Sequence, residues 1–143
     1  MFEHALTIGT FDTPHLGHAI LVARCHELAE RVTVGVNSDK FVERYKGVKP
    51  LYSEDERMEL MEQLNVDVVL NTSDGYRLIS EVKPDVIVIG SDWLGRDYLK
   101  QIGMTADDFN AWGIALIYVP HTDGISTTDL RERLANEQEA HRD

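Results

Sequence analysis

Short apolar runs rich in β-branched residues alternate along this chain with stretches whose apolar positions recur every three or four residues, and Gly, Pro or Asx residues punctuate the changeovers. The runs are Ala5 to Ile8, Val32 to Val36, Val66 to Leu70, Val86 to Ile89 and Ile114 to Val119. Continuous apolar runs of this kind predict strands covered on both faces, as in a parallel sheet. Pro84 stands before the fourth run and Pro120 after the fifth, where a missing N–H removes no central ladder bond.

Between the runs, helices are predicted from period and cap. Leu21, Cys25, Leu28 and Ala29 share one face of the first, which makes Cys25 a core residue rather than a nucleophile. Ser53-Glu54-Asp55-Glu56, followed by Met58, Met61 and Leu64, is a capping box opening an amphipathic helix. A last helix starts near Ser126, with Asp129 at cap spacing, and runs towards Leu134; residues 136–143 read as a polar, frayed tail. Strands alternating with helical crossovers predict an α/β fold: one domain over residues 1–143, an open parallel sheet of about five strands with helices on both faces. Ligands of such sheets bind at the carboxyl ends of the strands. Residues 9–18, the segment from Asn37, residues 90–95 and residues 121–128 therefore become the candidate site.

Composition narrows the possible functions. The 143 residues are 43% hydrophobic and 27% charged, the profile of one globular domain. A net charge of −11 argues against a protein that coats nucleic acid, since that affinity comes from neutralising phosphates. The charge is uneven: residues 1–50 hold six acids and six bases, whereas residues 51–143 carry the whole excess. Cations kept local in an otherwise acidic surface suit one small polyanion. The single cysteine rules out an internal disulfide framework and a CxxC zinc site. With no leader-like start and no apolar run of about 18 residues, the chain is read as cytoplasmic and free of membrane partners.

Gly9-Thr10-Phe11-Asp12-Thr13-Pro14-His15-Leu16-Gly17-His18 fits neither the GxGxxG fingerprint nor the P-loop. Gly17 permits close approach to backbone, a helix start favours anions, and His15 and His18 flank that point as imidazole donors. The alternative reading is a loop with two solvated histidines. Lys40 to Lys49 and then Arg57 supply local positive charge; Arg57, early in its helix, needs a compensating anion, for which Glu54 is the near candidate. Ser126, Thr127 and Thr128 make either a phosphate cradle or an ordinary helix cap. Trp93, beside Asp92, either stacks on a ligand or covers the sheet edge.

GTFDTPHLGH resembles the GxFDxxHxGH signature of the cytidylyltransferase-like nucleotidyltransferases, and Gly124-Ile125-Ser126-Thr127-Thr128 resembles that family's GISTT stretch. The likeness runs over roughly residues 5–134, and Gly90-Ser91-Asp92-Trp93 looks most like the bacterial glycerol-3-phosphate cytidylyltransferases. The resemblance implies a Rossmann-like sheet and transfer of a nucleotidyl group from CTP to a small phosphorylated alcohol such as glycerol 3-phosphate. Pyrophosphate is released, Mg²⁺ enters with the triphosphate, no metal is held directly by the protein, and the assembly is a homodimer. It gives catalytic roles to His15, His18, Lys46 and Arg57, with Lys49 as a further cation. Nucleotide contacts fall to Gly9, Thr10, Phe11, Gly17, Asp92, Ser126, Thr127 and Thr128, and substrate contacts to Asp12, Trp93 and His121.

Three positions depart from the family pattern. Asn65 stands where a second arginine is usual, His121-Thr122-Asp123-Gly124 replaces Arg-Thr-Glu-Gly, and Ser91 replaces an aspartate. Lysine and histidine do not reproduce an arginine's bidentate grip. Transfer from ATP to a sugar phosphate, mononucleotide or phosphopantetheine is therefore the alternative, and a catalytically weakened nucleotide-binding module is the reading of another class.

Overall fold

The computed structural model describes residues 1–13, 16–91 and 96–120. Five strands, β1 (Phe2–Gly9), β2 (Ala29–Asn37), β3 (Asp67–Asn71), β4 (Val86–Gly90) and β5 (Ala115–Val119), pair in the order β3-β2-β1-β4-β5, every pair parallel. Helix α1 (Leu16–Leu28) joins β1 to β2, α2 (Asp39–Lys46) and α3 (Glu54–Glu62) join β2 to β3, and α4 (Tyr76–Val82) joins β3 to β4. Before β5 come the short helices α5 (Tyr98–Gln101) and α6 (Ala106–Trp112). This is the open parallel sheet that the alternation predicts and the Rossmann-like sheet that the resemblance implies.

Alternate residues of the central strands enter opposite cores, which is why the apolar runs are continuous. Leu6, Ile87 and Ile89 pack with Leu78, Ile79, Tyr98, Ile102 and Phe109 on the face covered by α4, α5 and α6. Ala5, Val32, Val86 and Val88 pack with Cys25 on the other face, where Val34 and Val36 meet Val22 and Met61 of α1 and α3. Each of the larger aliphatic and aromatic side chains among them contributes about 2 kcal/mol on burial. Tertiary packing is decisive for α4, whose seven residues are far fewer than the ~12–15 that an isolated helix needs. Its Leu78 lies where a Cβ on Gly35 would stand 2.7 Å from Cδ2, so that glycine lets α4 approach the sheet.

Two expectations change. The first strand extends back to Phe2 because the Asp85 carboxylate accepts from the amides of Glu3 and His4 at 2.9 and 2.8 Å, holding a polar segment in register with β2. The basic stretch from Lys40, for which no element was predicted, is helical as far as Lys46: Ser38 Oγ caps the Phe41 amide, and Gly47 ends the helix at φ 79°. The expected last helix and tail lie outside the described residues. No helix among the described residues is long and apolar enough to cross a membrane.

Candidate active site

The chain runs outward from β1 to β3 and then returns to β4 on the other side of β1, so the sheet's switch point lies between the carboxyl ends of β1 and β4. There β1 ends at Gly9, and α1 begins at Leu16 with Gly17 and His18 in its first turn. Phe11 takes a left-handed backbone, φ 51°, a conformation costing about 1–2 kcal/mol for a residue with a side chain. Burial offsets that cost, because the ring sits among Val22, Val34, Val36 and Met61. The ring also lies against Gly9, where a Cβ would come within 3.1 Å of Cε2 and Cζ. From this anchored position it meets His18 edge-on, ring centroids 5.2 Å apart and planes at 78°. Gly, Phe and His thus form one packing unit.

Two buried charged groups lock this loop to the segment before α3. Asp12 accepts from the amides of Leu51 and Tyr52 at 2.8 and 3.0 Å. Arg57, 0% exposed, donates through Nη1 to the carbonyls of Thr10 (2.7 Å) and Asn37 (2.8 Å), through Nε to Tyr52 O (3.0 Å) and through Nη2 to Asp39 Oδ1 (2.7 Å). The compensating anion is Asp39, not Glu54. Glu54 instead accepts from the Asp39 amide at 3.1 Å while Asp39 Oδ2 accepts from the Glu54 amide at 3.3 Å, so α2 and α3 cap one another head to head.

A row of polar side chains crosses the strand ends. Asn71 Nδ2 donates to Asn37 Oδ1 at 2.9 Å, Asn37 Nδ2 donates to Thr10 Oγ1 at 3.3 Å, and Thr10 Oγ1 lies 3.2 Å from the Tyr45 hydroxyl. Tyr45 occupies the last turn of α2, with the Lys46 ammonium 5.6 Å from its ring centroid. Arg44 of the same turn donates to Thr72 O at 3.1 Å.

The structure therefore gathers Gly9, Thr10, Phe11, Asp12, Gly17, His18, Lys46 and Arg57 at one end of the sheet. Arg57, expected to be a catalytic cation, is buried with its donors on protein acceptors, and Asp12, expected to contact substrate, accepts from two backbone amides. Lys49 is exposed on the segment beyond α2. His15, Asp92, Trp93, His121, Ser126, Thr127 and Thr128 lie outside the described residues. Sequence reasoning placed the segment from Asn37 at the site but gave no role to Asp39 or Tyr45, although Ser38-Asp39 with Gly47 beyond is a helix start and stop that could have revealed α2. Asn65 has φ 59° and precedes β3, at the amino end of the strands. Within this chain, the arginine absent there is absent from the opposite rim. Cys25 is buried, and burial pushes its thiol up to about 12, consistent with a core role. Among the described residues no group of three or more His, Cys, Asp or Glu could hold a metal ion.

Comparison with known proteins gives the same direction. The family profile described as cytidylyltransferase-like matches residues 6–133. The glycerol-3-phosphate cytidylyltransferase of Bacillus spizizenii is 33% identical over 139 residues, covering 94% of this chain and 98% of that protein. The bifunctional protein HldE of Campylobacter concisus is 40% identical over 95 residues, which is 64% of this chain but only 20% of that protein. Among solved structures, the lipopolysaccharide core biosynthesis protein of Thermoplasma volcanium superposes with a TM-score of 0.68 at 26% identity, covering 86% of this chain and all of that one.

Proposed function

The chain belongs to the cytidylyltransferase-like family of nucleotidyltransferases, and from that premise we propose that it transfers a cytidylyl group from CTP to a small phosphorylated alcohol of the glycerol 3-phosphate type, releasing pyrophosphate. The acceptor's own phosphate oxygen attacks the α-phosphorus in line, and the bond to the β-phosphate oxygen breaks as pyrophosphate leaves with its electron pair. Such a reaction needs positioning and charge stabilisation, not a protein nucleophile, which agrees with a core-bound Cys25. The observation that carries the proposal is the Gly9–Phe11–His18 unit, which sets an imidazole in the first turn of α1 at the switch point. His18, with His15 beside it in sequence, donates to triphosphate oxygens as charge grows on them, and Lys46 adds a cation from the end of α2.

Arg57 and Asp12 act in this reading as positioning residues for the loop that carries the histidines. Mg²⁺ enters as part of the nucleotide substrate. When bound there it neutralises triphosphate charge.

A second reading, transfer from ATP to a phosphorylated sugar, keeps the same chemistry, and the likeness to a lipopolysaccharide core biosynthesis protein supports the sugar acceptor. One experiment separates these readings. The protein is incubated with Mg²⁺, each of the four nucleoside triphosphates in turn, and a panel of phosphorylated alcohols and sugars, and pyrophosphate is measured. Release dependent on both CTP and glycerol 3-phosphate is the expected result. Release with ATP and a sugar phosphate selects the second reading, and triphosphate binding without release from any pair indicates a binding module.

A further inference from the structure

The segment between α2 and α3 is fastened at both ends to the same loop. At its start, the Tyr45 hydroxyl lies 3.2 Å from Thr10 Oγ1; at its end, the Asp12 carboxylate holds the amides of Leu51 and Tyr52. Lys46 to Lys49 lie between these fastenings and are exposed. Thr10 is itself fixed, since Arg57 holds its carbonyl and Asn37 its hydroxyl. Tyr45 has a second contact, its ring lying beneath the Lys46 ammonium and packing on Phe41 at 4.8 Å between centroids. One side chain thus touches both the loop after β1 and the cation.

We propose that Tyr45 is a positioning residue for the transfer, a tether whose hydroxyl on Thr10 fixes the end of α2 and so places Lys46 over the loop after β1. This rests on the nucleotidyl-transfer reading above. Lys46 acts on charge that develops on the departing pyrophosphate, so its misplacement lowers kcat more than it raises KM. The Asn71–Asn37–Thr10 row makes the tether stiff, because each hydroxyl or amide along it is held by the next.

Tyr45→Phe removes the hydroxyl and keeps the ring beneath Lys46. Amide hydrogen exchange of the ligand-free chain and steady-state pyrophosphate release are measured for Tyr45→Phe, Thr10→Val and the double variant. Losing the Tyr45–Thr10 contact is expected to speed exchange at the end of α2, at the Lys46 and Gly47 amides, about fivefold in Tyr45→Phe with a correspondingly small drop in the urea midpoint, and at least as much in Thr10→Val, which also releases the Asn37 amide. In Tyr45→Phe, kcat is expected to fall about five- to tenfold with KM for the nucleotide moving less than about twofold. The double variant is expected to be no worse than Thr10→Val alone, the signature of one shared contact. Unchanged exchange in Tyr45→Phe, additive effects in the pair, or a loss confined to KM overturns the proposal. Exchange that responds as expected in a chain that releases no pyrophosphate with any nucleotide overturns the transfer reading and leaves the tether standing.

Discussion

Arg57 Nη1 donates to the carbonyl oxygen of Thr10 at 2.7 Å, so a residue of α3 holds the main chain immediately before the left-handed Phe11. The same nitrogen reaches Asn37 O, which ties the ends of β1 and β2 to one guanidinium. An ammonium has neither the span nor the fork to replace this set of bonds. Arg57→Met leaves Asp39 and three carbonyls without their donor and is expected to cost about 3–5 kcal/mol in urea unfolding. Arg57→Lys, which keeps the charge, is expected to lose at least half as much. Wild-type stability in the lysine variant would show that charge alone matters at this position.

His18 is expected to contribute through charge stabilisation rather than through folding. His18→Ala should lower turnover at least about a hundredfold, the usual effect of removing one preorganised donor. Circular dichroism and thermal melting check that the variant remains folded, because the ring also packs edge-on against Phe11. Near-normal turnover in a folded variant would remove His18 from the mechanism.

Gly9 tests the packing unit from the other side. A methyl at this position meets the Phe11 ring at 3.1 Å, and the ring cannot retreat without disturbing Val22, Val34, Val36 and Met61. Gly9→Ala is expected to cost about 1–2 kcal/mol in unfolding, with a larger relative loss of turnover as the ring displaces His18. A stability loss with turnover intact would separate the ring from the histidine's placement.

Much of the fold was legible because both faces of the sheet are covered: β-branched runs such as Val86 to Ile89 have no other use in a domain this small. The site was legible where a residue's chemistry is local, as with Gly17 and His18 at the start of α1. It was illegible where the role depends on partners distant in the chain. For Arg57 the sequence shows the charge and not the acceptors at Thr10, Asn37 and Asp39. Asp12 stands 39 residues before the Leu51 amide it accepts from, a clamp the sequence alone does not show. Asn65, where the family pattern has an arginine, takes a left-handed backbone at the amino end of the strands, a conformation asparagine adopts readily and one that the motif comparison does not show.

Stability should depend on pH through His4. Its Nε2 lies 2.7 Å from Thr33 Oγ1, and burial, then the Arg31 guanidinium, hold its pKa below the ordinary 6.5 against the weaker pull of Asp67 and Asp85. The unfolded chain therefore takes up a proton on this side chain before the folded one does. Its stabilising contribution is complete above about pH 6.5 and is lost as pH falls through the lowered folded value. Urea midpoints measured from about pH 7 down to about pH 5 should decline less steeply in His4→Gln than in the parent. An identical slope in both chains would exclude His4 as a source of the decline.

Asp12 separates clamping from substrate binding. Its buried carboxylate serves two amides with two oxygens; an asparagine offers one acceptor and turns an NH₂ towards the other amide. Asp12→Asn is expected to cost about 1–3 kcal/mol and to speed amide exchange at Leu51 and Tyr52 in the ligand-free protein. Because the clamp sets the position of the whole basic segment, kcat/KM should fall by a similar factor for every acceptor that the parent protein uses. A residue in contact with the acceptor behaves differently: its substitution raises KM for the acceptor it touches and leaves exchange in the free protein unchanged. Measuring exchange without ligand and kcat/KM across two acceptors therefore distinguishes the roles, and a selective KM effect with unaltered exchange would return Asp12 to the substrate.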